Sequence, residues 1–384
     1  MEVRFIKPEE AVAFLKVSSA SFIWKFDEKV DDHVDTPVMA AFNDEGKLVA
    51  GLEAIDFDCN YCGTPLGSIG IGCVCSLPET RRLGGVRAIF DKIGETAIEN
   101  NWTLGFLHPF SIEYYEKFGY AYLNQMFSIR VPFANMTHIP RNTDAIAYTG
   151  EQFEEISELH NKCVTMENLL TFRKSKKDFC DKPLENTDYT YFRRNAKGEA
   201  DGYVRFKVSR PDTLTVEDLY FLTPEALIGL LGFLRNYDGI VKELVVNKQY
   251  QGSPFSLIAD RITKVQYASD GCSAARIYDI KKVLESNVYP QEHGSFRMLS
   301  IDKYEQNSGI FEVEYENGKG IVTRHNDGKY DLTVEPHAAA RLLLAGEGHN
   351  AASVAYMDGV KINGNADDFF KAFPYRQTRF IDSF

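Results

Sequence analysis

Apolar and polar positions along the first third of the chain follow two periods, one of strands and one of helices. Residues 3–6 read as a short strand, after which Pro8, Glu9 and Glu10 open a helix; proline is tolerated in a first helical turn and acidic side chains favour its positive end. Residues 38–42 and 47–57 flank the turn Asn43-Asp44-Glu45-Gly46 as a hairpin. A buried strand over 69–76 is stopped by Pro78, and a helix then runs from Val86 to about Asn100. A strand over 103–107, a short helix around Glu113 and a last strand over 126–131, ended by Pro132, complete the unit.

The order strand, helix, three strands, helix, strand, helix, strand recurs more faintly over 140–285. There 145–148, 189–193, 202–208, 214–221 and 244–246 read as strands, and 153–163 and 227–234 as helices, the second opened by Thr223-Pro224. From about 290 the pattern changes to alternating runs joined by Asn-Gly and Asp-Gly turns: 298–301, 309–315, 321–324 and 329–334. Helices over 336–345 and 367–373 can pack on such a sheet. The expectation is a mixed α/β (α+β) chain of three domains, 1–135, 136–288 and 289–384; a chain of 384 residues exceeds one ordinary core.

The net charge of −12 argues against a nucleic-acid partner, which needs a basic face, and agrees with cationic acceptors. No apolar run is long enough to span a membrane and no signal-peptide core opens the chain, so a cytoplasmic location is expected. Seven cysteines at uneven spacing do not form a disulfide framework. Cys59-x-x-Cys62 and Cys73-x-Cys75 are read as small packed hydrophobes rather than as a zinc site; no metal is expected.

Candidate chemistry concentrates in Ile71 to Tyr120. A strand feeds a helix through Arg81-Arg82-Leu83-Gly84-Gly85, and small residues, a helix N-terminus and arginines together hold pyrophosphate. The spacing Arg81-x-x-Gly84-x-Val86, followed by Tyr115-Glu116-Lys117-Phe118-Gly119-Tyr120, resembles the coenzyme A loop and the tyrosine motif of the GCN5-related N-acetyltransferases (GNAT). Val86 departs from the usual glycine or alanine in the way of the Eis-like branch, although Gly85 stands where that branch has an apolar residue.

The resemblance implies two tandem GNAT folds, each a mixed central sheet flanked by helices, the second lacking a coenzyme A loop, and a sterol-carrier-like C-terminal domain. It implies acetyl-CoA as co-substrate, gripped by Arg81, Arg82, Leu83, Gly84, Gly85 and Val86, with Val74, Cys75, Ser76 and Ser111 along the rest of the cofactor. Tyr115 becomes the general acid for the departing thiolate, with Tyr114 and Tyr120 as competitors. The α-carboxylate of Phe384 becomes the base or orienting group, in a tail made aromatic by Phe380 and Phe384. Trp24, Phe26, Asp27, His108 and Asp382 are expected around the acceptor, a primary amine on an aminoglycoside-like, polyamine or lysine-bearing molecule. A homo-oligomer, a hexamer, goes with the family. The rival reading is an acyl-CoA-binding protein without transferase activity.

Overall fold

A computed structural model describes residues 1–173, 188–348 and 350–382. They group into two compact units, 1–123 with 273–378 and 382, and 124–173 with 188–272 and 379–381.

In the first unit the sheet runs β1 (Glu2–Phe5), β2 (Val38–Phe42), β3 (Leu48–Tyr61), β4 (Thr64–Ser76) and β5 (Leu104–Leu107). Only the β4–β5 pair is parallel, with α2 (Gly85–Thr96) as its crossover; the others are antiparallel. β3 and β4 are longer than their hydrophobic pattern predicted, because they extend as a hairpin over Cys62-Gly63, both at positive φ. β5 is flanked on its other side by the end of the strand Gln266–Ile277, Ala274 opposite Leu107. That strand was missed in the sequence: Ala-Ser-Asp-Gly-Cys-Ser-Ala-Ala has low β-propensity, and its pairing with β5 selects it.

The two faces of this sheet are covered differently. Ile89, Phe90 and Ile93 of α2 pack on Leu52, Ala54, Ile69 and Ile71 in one core. Phe14 and Val17 of α1 (Ala11–Phe22) pack on Val38, Ala40 and Cys75 on the other.

The five-stranded sheet at the end of the chain has the order Lys319–His325, Gly309–Glu316, Gly294–Ser300, Leu332–Val334, Val360–Ile362. Its helix Asp367–Ala372 packs Phe369 edge-on to Phe296, centroids 5.2 Å apart. The strand Val360–Ile362 was not foreseen, being only three residues long. Tyr304 ties this sheet to the first by donating its hydroxyl to the Phe90 carbonyl at 3.0 Å.

The second unit has the strand order Ala121–Pro132 (from Asn124), Glu243–Gln249, Thr213–Phe221, Ala200–Ser209, Asp188–Arg194, Ile146–Ala147. The predicted element order holds here, with helices Phe153–Thr165 and Pro224–Leu234 in their places. Thr223 caps the second of these by accepting the Ala226 N–H at 3.1 Å. Arg379 sits in this unit, its guanidinium 3.3 Å from Glu167 and over the Tyr220 ring.

Candidate active site

β4 and β5 part company near their ends. The last paired residues are Ile71 and Leu107, whereas β4 runs on to Ser76, hydrogen-bonded among the described strands to β3 alone. A bulge helps to turn β4 there: Cys73 and Val74 stand opposite the single residue Leu52, and Cys73 takes a left-handed φ of 47°. Beyond Ser76 the chain passes Pro78–Thr80 into the arginine-glycine turn and then α2.

The turn meets the physical requirements of an anion cradle. Gly84 is the N-cap of α2 at φ 89°, a conformation that glycine adopts without strain, and no side chain caps the helix. The first intrahelical bond is Ala88 N–H to the Gly84 carbonyl, so the N–H groups of Gly85, Val86 and Arg87 have no helical acceptor. Gly85 lets α2 approach β3 closely; a Cβ there would lie 3.0 Å from that of Ala50.

A cavity of about 720 Å³ opens over this helix end. Of the residues expected to hold the cofactor, Val74, Cys75, Ser76, Arg81, Arg82, Gly84, Gly85 and Val86 line it. Leu83 points to solvent and is 67% exposed. Ser111 caps α3 (Ile112–Glu116), accepting the Tyr114 N–H at 3.2 Å, and lies outside the lining. The structure adds lining residues that the sequence reading did not name, Ser21 and Phe22 from α1, Arg87, Phe110, Lys117 and Phe118, and brings in Tyr114, named there as a competing acid. Lys117 sits inside the tyrosine motif and Arg87 follows the loop, so both were within sight as extra cations. Arg81, Arg82, Arg87 and Lys117 are the charged side chains of the lining, and no carboxylate joins them. Ser21 also holds the end of β4, where its hydroxyl donates to the Ser76 carbonyl at 3.1 Å and accepts the Ser76 N–H at 3.2 Å.

Three tyrosines of the motif separate by burial. Tyr120 is fully buried and shares a hydrogen bond of 3.0 Å with Tyr278 in the core. Tyr114 is half-buried, lines the cavity and has its ring 5.2 Å from that of Phe110. Tyr115 is 4% exposed, lies outside the lining, and packs edge-on to Phe90 at 6.1 Å. Burial pushes the hydroxyls of Tyr114 and Tyr115 above the ordinary tyrosine range, so both keep their protons at neutral pH.

The residues expected near the acceptor divide as well. Trp24 donates its indole N–H to the Ser18 hydroxyl at 3.4 Å and stands edge-on to Phe26, centroids 6.0 Å apart. Asp27 is exposed. His108 follows β5, and its Nε2–H donates to the Asp382 carbonyl at 2.5 Å, so the segment before the chain's end lies against the end of β5. None of these five lines the cavity. Phe384 lies outside the described residues.

Cys59, Cys62, Cys73 and Cys75 are free thiols, Cys59 and Cys75 buried. No helix among the described residues is long and apolar enough to cross a membrane.

Comparison with known proteins bears on this geometry. Residues 2–123 match a family model described as an acetyltransferase (GNAT) domain, and residues 172–277 match a second model with the same description; together they take in more than half of the chain. No curated protein matches. Among solved structures, a conserved Enterococcus faecalis protein described as a probable N-acyltransferase is 18% identical, with a TM-score of 0.84 over 98% of this chain and 97% of its own. A GCN5-related N-acetyltransferase from Anabaena variabilis is 16% identical, with a TM-score of 0.80 over 100% and 98%. Eis1 from Mycobacterium abscessus is 16% identical, with a TM-score of 0.77 over 99% and 98%. At these identities the likeness is one of fold.

Proposed function

The chain belongs to the GCN5-related N-acetyltransferases in their tandem, Eis-like form, and on that footing we propose that it moves an acetyl group from acetyl-CoA to a primary amine. One observation carries the reading. In a protein of net charge −12, the cavity at the uncapped N-terminus of α2 collects four cationic side chains and no carboxylate. Such a place attracts a polyanion, and coenzyme A is one.

In this reading the N–H groups of Gly85, Val86 and Arg87 take the pyrophosphate, with Arg81 and Arg82 as charge-assisted donors. The pantetheine arm runs along Val74 and Cys75 toward the parting of β4 and β5. Ser76 is already satisfied by Ser21, so Ser21 must turn its hydroxyl before Ser76 can receive a ligand. The amine nitrogen attacks the thioester carbonyl, and a protonated tyrosine hydrogen-bonds the departing thiolate. We assign that part to Tyr115, with Tyr114 as the alternative already facing the cavity. The orienting role that the family resemblance gives Phe384 stays with it; the placement of Asp382 against His108 supports it. The acceptor is aminoglycoside-like, a polyamine or a lysine side chain, and the working form is a homo-oligomer.

Coenzyme A thiol release with a panel of amines, read alongside mass spectrometry of the acceptors, tests this. Calorimetric binding of acetyl-CoA, measured independently, separates a transferase from a protein that only binds the thioester. Tyr115→Phe is expected to lose turnover and keep acetyl-CoA affinity. Unchanged turnover in Tyr115→Phe, with loss in Tyr114→Phe, moves the donor to Tyr114.

A further inference from the structure

Ser76 ends β4 with its backbone turned outward. It stands opposite Ala50, and the next N–H along, that of Leu77, donates to the Val49 carbonyl at 3.1 Å. Bonded and non-bonded positions alternate in an antiparallel pair, so the N–H and C=O of Ser76 point away from β3. On that side β5 has already ended its pairing, at Ile71 and Leu107. A strand edge left open in this way needs partners for its polar groups.

One side chain supplies both. The Ser21 hydroxyl donates to the Ser76 carbonyl at 3.1 Å and accepts the Ser76 N–H at 3.2 Å, and both residues line the cofactor cavity. A single oxygen thus stands where the amide of a bound, extended ligand would pair with the edge. Ser21 belongs to the last turn of α1, a helix anchored further back by the buried Phe14 and Val17. A second acceptor lies within its own helix, the Val17 carbonyl one turn back; Ser19 already donates to the Lys16 carbonyl in a similar way, at 2.9 Å. Rotation about the Cα–Cβ bond of Ser21 therefore takes the hydroxyl off Ser76 with a new partner in reach and the helix unmoved.

We propose that Ser21 is a displaceable stand-in for the cofactor. It closes the open edge of β4 in the free protein, yields that edge to the pantetheine amides of acetyl-CoA, and turns back as coenzyme A leaves. This rests on the transferase reading above and adds to it a residue that sets cofactor affinity by competing with the cofactor. Acetyl-CoA gains at Ser76 only the difference between its own hydrogen bonds and those of the serine. Departing coenzyme A is replaced by a group already in place. Ser21 thereby weakens binding and speeds release.

Ser21→Ala removes the competitor and leaves Ser76 to water. Calorimetry is expected to show acetyl-CoA and coenzyme A each bound about 3–10-fold more tightly, the worth of one or two exchanged hydrogen bonds. Stopped-flow dissociation of coenzyme A slows by a similar factor, since affinity differences between related complexes lie mostly in the off-rate. Exchange of the Ser76 amide hydrogen, read by fragmentation mass spectrometry, is faster in the free variant than in the free wild type and equal in the two loaded proteins. A Ser21→Ala protein that binds acetyl-CoA no more tightly than the wild type overturns the inference and leaves the transferase reading standing. Equal exchange in the two free proteins does the same. A wild type that binds no acetyl-CoA overturns both.

Discussion

Replacing Arg276 by methionine tests how the tyrosine motif is held. Arg276 comes from the late strand Gln266–Ile277 and is 2% exposed, as is Asp302, with which it pairs. One guanidinium nitrogen reaches both carboxylate oxygens, at 2.8 and 2.9 Å, and another donates to the Phe118 carbonyl. The guanidinium lies 5.3 Å from the Tyr278 ring centre and 4.8 Å from that of Tyr304. Methionine fills the space but strands Asp302, whose remaining donors are the Tyr304 N–H and the Asn307 amide, each at 3.2 Å. Breaking one side of a buried pair costs about 3–5 kcal/mol, a large part of the roughly 5–15 kcal/mol that holds a protein folded. Adding Asp302→Asn removes the stranded charge and keeps an acceptor for one of the two donors, which reach different carboxylate oxygens, so the double variant is expected to recover at least about 1 kcal/mol. Denaturant unfolding, followed by tryptophan fluorescence and far-UV circular dichroism with coincident transitions, gives the three free energies. Arg276→Met within about 1 kcal/mol of the wild type, below the range for a broken buried pair, refutes the reasoning. So does a double variant no more stable than the single one. Because the Phe118 carbonyl loses its donor, folded Arg276→Met is also expected to turn over more slowly.

Three further perturbations have expected outcomes. Arg81→Ala with Arg82→Ala is expected to raise KM for acetyl-CoA with a weakened salt dependence, since exposed arginines act on phosphate through a screened field; an unchanged KM removes them from the site. Iodoacetamide is expected to label Cys73 before Cys59, and coenzyme A to slow it. The Cys75 thiol's hydrogen bond holds Cys73 below the ordinary thiol range, whereas burial pushes Cys59 up to about 12; peptide mass spectrometry with equal labelling of both contradicts this. Hydrogen bonding from Arg297, and then from His325, holds the Glu312 carboxyl below its ordinary range. Its contribution is thus full above the usual carboxylate range and is lost as pH falls through the lowered value; melts of Glu312→Gln and wild type should converge in acid.

Much of the fold was legible in local patterning. The hairpin around Asn43-Asp44-Glu45-Gly46, the Thr223 cap and the helix Pro336–Ala345 stand where periodicity and turn chemistry put them. The strand Gln266–Ile277 was not legible, because serine, glycine and alanine carry little strand signal until β5 supplies the partner. The site divides along the same line. Arg81-x-x-Gly84 was visible because an anion cradle is built from consecutive residues at a helix start. Burial and facing were not visible. Tyr114 and Tyr115 are adjacent on a five-residue helix, so about 100° of rotation sends one toward the cavity and the other into the core.

The loop, the turn residues and the order of elements follow from local sequence, since each depends on neighbours a few positions away. Tertiary structure alone places Arg276 on Asp302 beside Phe118 and Asp382 against His108. Those facts join residues far apart in the chain. Burial and countercharge are properties of the space that folding closes, and no local pattern encodes what will stand on its other side.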